Sequence, residues 1–417
     1  MREGWILAGI LDGGAAYPRL VEDVCGVPHG LRLACELAHA GAGRIFVVWN
    51  SDGPPPDLSS IANDPRLARM ATLEVVSSPP RGDDTDEILI ARADRMFHRD
   101  MPKLVLAARG EANVAKIRGD EHDAVFAADR VTAHRLAEDA FEAGGLARAL
   151  ATLRVAEADV PYAGFTARAS GPRSLRRAER QLVWSLRKAA DGIAAKALNR
   201  HLSLPLSWAL ARTKVHPNHV TLTALVLALA GAATIASGGY LAGVVGMLLV
   251  NLGSIIDGVD GELARLRFQF SRLGQWLDTT VDDVANVAYI SGVAVNLTLA
   301  GVDWAMPVGV VALGAFLVTQ GTQYLLITFV YKSGDLAAIP WAFQSADFLS
   351  QRPKGFLAWV KATVPKMLKR DFVVCLFVCF ALIGRLDLIL LVFAGGALSF
   401  FVVFFFQFAR NRRSITS

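Results

Sequence analysis

Apolar runs long enough to cross a bilayer appear only after Asn218, whereas the stretch before about Arg180 mixes charged and apolar residues as a globular domain does. A chain divided in this way has to satisfy two solvents. Its hydrophobic content of 53% is high for a wholly soluble protein, and its 417 residues leave room for two domains or more. Six spans can be drawn, at roughly 219–237, 240–264, 275–299, 304–331, 368–384 and 386–408. The basic residues between the spans and at their ends then sort by side. Lys214, Arg265, Arg267, Arg272, Lys332, Arg352, Lys354, Lys361, Lys366, Lys369, Arg370, Arg410, Arg412 and Arg413 fall on one side, and Arg385 alone on the other. The positive-inside bias predicts a multi-pass protein of the inner or plasma membrane, in contact with the lipid bilayer, with both termini cytoplasmic.

The net charge of +5 is accounted for by these flanking residues, and no nucleic-acid recognition module accompanies it, so nucleic acid is not expected as a partner. Four scattered cysteines make neither a disulfide framework nor a C-x-x-C zinc spacing. Cys375 and Cys379 share a helix face and are read as packing residues. Met1 to Leu11 lacks the basic region and apolar core of a signal peptide, which again places the first domain in the cytoplasm.

In that first domain, short β-rich runs at Trp5 to Ala8, Ile45 to Trp49, Leu73 to Val76, Ile88 to Ala91 and Ala124 to Ala127 alternate with helical stretches such as Leu31 to Ala40. Such alternation predicts an α/β domain with a mainly parallel sheet. From Gln181 to Lys214, Trp184, Leu186, Ile193, Leu198 and Trp208 are interleaved with Arg187, Lys188, Lys196 and Arg200, the pattern of one or two amphipathic helices lying on a membrane surface, with a break near Pro205. The expected division is 1–180, 181–214 and 215–417.

The second span ends with Asp257, Asp260 and Glu262, and the third opens with Asp278 and Asp282. Spacings of three and four put Asp257 with Asp260, and Asp278 with Asp282, on single helix faces at the cytoplasmic mouth of adjacent helices. An aspartate well inside a span costs about 2.5–3.5 kcal/mol even on the mild insertion scale, and neighbouring carboxylates repel one another besides. Such a cluster calls for cations. An all-oxygen set suits two hard ions, Mg²⁺ or Mn²⁺, which could clamp a diphosphate during an in-line displacement. Gly261, Ala264 and Gly274 leave the helix surfaces bare, which admits either a nucleotide or a neighbouring helix.

Asp257-x-x-Asp260-Gly261-x-x-Ala264-Arg265, eight residues, then Gly274-x-x-x-Asp278-x-x-x-Asp282, resembles the signature of the CDP-alcohol phosphotransferases with every fixed position filled. Pro217, Asn218 and Thr221 extend the likeness upstream. The resemblance implies a six-helix all-α membrane domain that moves a substituted phosphate from a CDP-alcohol donor, CDP-diacylglycerol or a CDP-polyol such as CDP-inositol, to an acceptor alcohol, releasing CMP in phospholipid or polar-lipid synthesis. It implies that Asp257, Asp260, Asp278 and Asp282 hold the metals, that Asp282 also takes the acceptor's proton, that Gly261, Ala264, Arg265 and Gly274 meet the CDP moiety, and that the protein is a homodimer. Lys366, Lys369 and Arg370, before the fifth span, are candidates for a phosphate on the acceptor, with Asp371 orienting them; positive-inside topology accounts for them equally.

Residues 1–180 resemble the sugar-phosphate nucleotidyltransferases less closely: glycines near Gly13 and Gly14, then Pro18, Arg19, Gly26, Pro28 and Leu31, Asp94 after a strand, and a close at Gly171, Pro172, Leu175, Arg176 and Glu179. The glycine-rich loop is reduced to Leu11-Asp12-Gly13-Gly14-Ala15-Ala16, Arg19 replaces a lysine, and Arg168 and Ser170 stand where that family has metal-binding acids. A degenerate domain with a structural or regulatory role is expected, since Asp94 alone would hold a catalytic metal poorly. A similar pairing of folds occurs in microbial enzymes that make inositol-phosphate compounds. The alternatives are a bifunctional enzyme whose first domain also makes the CDP-alcohol from CTP, a nucleotidyltransferase on a passive anchor, and a transporter or scaffold whose acids would line a path.

Overall fold

The computed structural model describes residues 2–9, 11, 19–51, 53–82, 87–120, 123–188, 191–192, 195–330 and 370–410. The chain divides into two compact units. The first is Met1–Ala190 with Trp208–Thr213 and Ala264–Gln269, and the second is Asp191–Ser207, Lys214–Leu263 and Phe270–Ser417.

The first unit is built on β1 (Glu3–Gly9), β2 (Arg44–Asn50), β3 (Thr72–Val76), β4 (Glu87–Arg92), β5 (Val114–Ile117), β6 (Val125–Asp129) and β7 (Val155–Ala158). They form one seven-stranded sheet in the order β7-β5-β6-β4-β1-β2-β3, with only β6 antiparallel to its neighbours. β1 lies between β4 and β2, Trp5 standing opposite both Phe46 and Ile90. Because side chains alternate, Ile6 and Ala8 face one core with α1 (His29–His39) and α2 (Met101–Arg109), while Trp5 and Leu7 face another with α3 (Arg130–Ala140). Burial on both faces explains why β1 reads as a continuous apolar run. The sheet is therefore mainly parallel, as the alternation predicts, and all five expected strands lie within it or at its strand edges.

α4 (Pro172–Trp184) begins with Pro172 at a position where its missing N–H is not needed. It buries Glu179, which accepts from Cys25 N at 3.1 Å and from Arg212 at 2.6 Å. Gly26 has φ +76°, and an added Cβ would sit 2.2 Å from the Ala211 carbonyl, so glycine is required there. The shortened loop, with Gly13, Gly14 and Pro18, lies outside the described residues.

The second unit is helical. α5 (Arg200–Ala211), part of which belongs to the first unit, follows a π-helical turn at Ala195–Asn199. Then come α6 (Pro217–Ala236), α7 (Tyr240–Arg267), α8 (Arg272–Leu299), α9 (Ala305–Leu325), α10 (Arg370–Leu382) and α11 (Leu386–Arg410). The expected break near Pro205 is not found: Pro205 lies inside α5. An interior proline removes one helical hydrogen bond, but Ser203 and Ser207 on either side of it are both fastened to Glu262, which offsets the loss.

Four helices are long and apolar enough to cross a membrane: Pro217–Ala236, Tyr240–Arg267, Ala305–Val330 and Leu386–Phe406. The expected count of six is thus met by four among the described residues. α8 is long enough but carries Asp278, Asp282 and Asp283 in its first half, and the described part of the fifth expected span, Arg370–Leu382, is 13 residues.

Helix packing here depends on bare backbone. A Cβ on Gly231 would lie 2.6 Å from the Gly246 carbonyl, one on Gly246 2.5 Å from that of Gly231, and one on Gly292 2.6 Å from that of Ala232. Such close approach of backbones supplies packing contacts that bulkier side chains would prevent. Asn296 on α8 donates to the carbonyls of Ile235 and Gly239 at 2.7 and 3.2 Å, capping the end of α6.

Gly246→Leu should force α6 and α7 apart and lower the thermal unfolding temperature of the detergent-solubilised protein, at a cost of about 1–3 kcal/mol or more. Gly314→Ala, where nothing lies within 4 Å of an added Cβ, should leave it unchanged. A second expectation concerns pH. Burial pushes the Glu36 carboxyl on α1 up to about 8 from an ordinary 4.5, against the opposing pull of Arg32 and Arg99. The unfolded chain releases this proton near 4.5 and the folded chain only near 8, so stability is lost as pH rises through that window. Glu36→Gln should remove the loss, and its gain in unfolding temperature over the parent should be larger at about pH 8 than at about pH 5.

Candidate functional site

The loop between α7 and α8 is short, which brings the end of one helix back beside the start of the next. Ser271 closes it by accepting from Gly274 N at 2.9 Å, a side-chain cap that starts α8. Asp257 and Asp260 on α7 and Asp278 on α8 each offer an oxygen, and these oxygens all lie within 4.8 Å of one another. The fourth expected aspartate, Asp282, is joined to them through a cation: the Arg370 guanidinium at the start of α10 pairs with Asp282 and, at 3.4 Å, with Asp257.

Burial varies across the set. Asp257 keeps 12% of its side-chain surface and Asp282 32%, whereas Asp278 is exposed. Asp260 is the deepest and is held by Thr221 Oγ1 of α6, which donates to it at 2.5 Å, and by the Gly261 N–H. Four helices, α6, α7, α8 and α10, therefore contribute to one carboxylate cluster. Gly261 and Ala264 follow Asp260 on α7, with Arg265 next; Gly274 opens α8 with the Asn218 side chain 3.4 Å from where its Cβ would be. Lys366 and Lys369 lie outside the described residues, as does the side chain of Asp371.

Two polar networks beside the cluster were not anticipated. Glu262, fully buried, accepts from Ser203 at 2.7 Å, from Ser207 at 2.5 Å and from Arg200. Asp283, next to Asp282, accepts from Gln320 at 2.8 and 3.0 Å and from the Tyr324 hydroxyl. A charged residue inside an apolar helix is the signal that both deserved, but their partners are dozens of positions away and no local spacing points to them.

In the first unit, Asp94 is 8% exposed and its carboxylate is taken up by Arg92, at 3.1 and 3.2 Å, and by Arg95. Beside it, the buried His29 bonds the Ala93 carbonyl at 2.9 Å, and burial holds its imidazole down to about 4. The one acid that the nucleotidyltransferase resemblance offers is thus neutralised by the chain's own guanidinium groups.

Residues 214–342 match the family model described as CDP-alcohol phosphatidyltransferase. A "bifunctional IPC transferase and DIPP synthase" from Thermococcus kodakarensis is 32% identical over 153 residues, 36% of this chain and 34% of that one. The protein of the same description from Rubrobacter xylanophilus is 37% identical over 152 residues, 36% and 34% of the two chains. The match thus spans about a third of the length of these relatives. Among solved structures, a protein described as a glucose-1-phosphate thymidylyltransferase from Bacillus anthracis gives a TM-score of 0.31 at 12% identity over 43% of this chain and 94% of the other. HddC from Yersinia pseudotuberculosis gives 0.30 at 12% identity, over 43% and 99%. With its aspartates converging from two successive helices, the stretch 214–342 is a CDP-alcohol phosphatidyltransferase domain.

Proposed function

We propose that this protein moves a substituted phosphate from a CDP-alcohol to an acceptor alcohol and releases CMP. The observation that carries the reading is the convergence of Asp257, Asp260 and Asp278 within 4.8 Å at the ends of two apolar helices. The donor set fits hard divalent ions: it is all oxygen, it concentrates negative charge, and a guanidinium already pairs with two of the four carboxylates. Asp257, Asp260, Asp278 and Asp282 would hold two Mg²⁺ or Mn²⁺ ions, which supply charge neutralisation at the diphosphate and at the developing oxyanion.

The chain's own groups do the rest. Thr221 fixes the orientation of Asp260, and Gly261, Ala264, Arg265 and Gly274 receive the cytidine diphosphate. Asp282, the more exposed of the two acids that Arg370 touches, accepts the proton of the acceptor hydroxyl, which then attacks the phosphorus bearing the donor alcohol. Once drawn off the aspartates, Arg370 meets a phosphate on the acceptor, the role the sequence also suggests for Lys366 and Lys369. The reading extends to a homodimer in the cell membrane with the site and both termini cytoplasmic, divided at 180 and 214. Donors of the CDP-polyol kind, such as CDP-inositol, and CDP-diacylglycerol both fit this reading.

Asp257→Asn, Asp278→Asn and Asp282→Asn should each leave a folded protein whose CMP release from a panel of CDP-alcohols falls by about 10²-fold or more, because an amide lacks the charge a metal needs. Near-parental turnover in any two of them would remove the assigned site.

The word "bifunctional" in the relatives' description supports a second reading, in which the first domain makes the CDP-alcohol from CTP. The pairing of Asp94 with Arg92 and Arg95 weighs against it, since a metal there would have to displace two guanidinium groups. The full-length Asp278→Asn protein, given CTP and a phosphorylated alcohol, should release no pyrophosphate. Release at a rate that Asp94→Asn abolishes would establish the second reading.

A further inference from the structure

Glu262 has 0% exposure inside the helix that carries Asp257 and Asp260, and the reaction above gives it no part. Its carboxylate is nonetheless engaged by three donors. Both oxygens are used: Oε1 accepts from Ser203 and Arg200, Oε2 from Ser207. Arg200 extends the network to Asp191, through Nε at 2.9 Å and Nη2 at 2.8 Å.

Taking a carboxylate and a guanidinium out of water costs several kcal/mol, and a well-packed apolar pair often serves stability as well or better. If α5 needed only to adhere to α7, leucines would do. What charge-assisted, directional bonds add is a fixed rotation and a fixed height of one helix against the other. Glu262 is two positions beyond Asp260, about 200° further round the helix, so the clamp grips α7 from the side opposite its metal-binding face. Val259, Leu263 and Leu266 are fully buried beside it, but apolar contacts alone tolerate sliding and repacking.

We propose that Glu262 is a positioning residue, clamped by Arg200, Ser203 and Ser207 of the juxtamembrane helix so that Asp257 and Asp260 are held at one rotation toward α8. The role rests on the transferase reading, because it orients the aspartates which that reading assigns to metal. A displacement of about 1 Å in a reacting constellation costs about 10²-fold in rate, so a loosened clamp acts on catalysis and on metal affinity before it acts on fold.

The test uses the full-length protein in detergent, with CMP formation, the KM for the CDP-alcohol donor, and Mn²⁺ affinity measured without substrate by the resonance of the free ion. Glu262→Gln keeps the shape, accepts from one serine and donates to the other, but loses the charge pair. It should lower kcat by about tenfold or more and weaken Mn²⁺ binding about fivefold, with the donor KM within about twofold, and Arg200→Lys should recover part of that loss relative to Arg200→Ala. A folded Glu262→Gln protein with parental kcat and Mn²⁺ affinity overturns the proposal. Should Glu262→Gln fail to fold, the Ser203→Ala, Ser207→Ala double variant, which retains the ion pair, should still weaken Mn²⁺ binding about two- to threefold, and parental binding there overturns it equally. Asp278→Asn separates the two claims: if it binds Mn²⁺ like the parent, the metal site itself is misassigned, whereas loss in Asp278→Asn beside parental Glu262→Gln removes only the positioning role.

Discussion

The second unit is organised around the difficulty of keeping carboxylates at the ends of apolar helices. Asp257, Asp260, Asp278 and Asp282 sit where neither water nor the sequence next to them can neutralise all of them, so their surroundings are arranged to do it. Thr221 and a backbone N–H hold Asp260, and Arg370 is drawn to Asp257 and Asp282 from α10. Behind the cluster, Glu262 is neutralised separately by Arg200 and two serines. Asp257 and Asp282 share Arg370, whereas Glu262 has donors of its own, which leaves it out of the carboxylate cluster.

The first unit shows the opposite outcome of the same electrostatics. Arg92 and Arg95 occupy Asp94 completely enough that the carboxylate has become an internal ion pair. Its sheet does not depend on that site: Trp5 and Leu7 pack on one face and Ile6 and Ala8 on the other, with helices covering both.

Much of this was legible in the sequence because the relevant signals are local. Period-two burial and apolar runs located β1, β2, β3, β4 and β6, and i, i+3 and i, i+4 spacing paired the aspartates on each helix. β5 and β7 were missed because they are four residues long and carry Lys116 and Glu157 in the pattern. The continuity of α5 through Pro205 was missed because it depends on Glu262, more than fifty residues downstream. The same reason hid the Asp283 network and the contact from Thr221 to Asp260: a side chain's partner across a helix interface leaves no trace in local periodicity.

Glycine and asparagine complete the argument, because a site shared by two helices is only as well defined as the distance between them. Gly231 and Gly246 allow α6 and α7 to meet backbone to backbone, and Gly292 does the same for α6 and α8. Asn296 then ties α8 to the end of α6 remote from Thr221, with bonds of 2.7 and 3.2 Å. α6 therefore serves as the common reference for the two helices that carry the aspartates: small residues set the separation, Asn296 sets the height at one end, and Thr221 reports the register at the other by reaching Asp260. Such specific contacts between apolar helices hold carboxylates on different helices within 4.8 Å of one another.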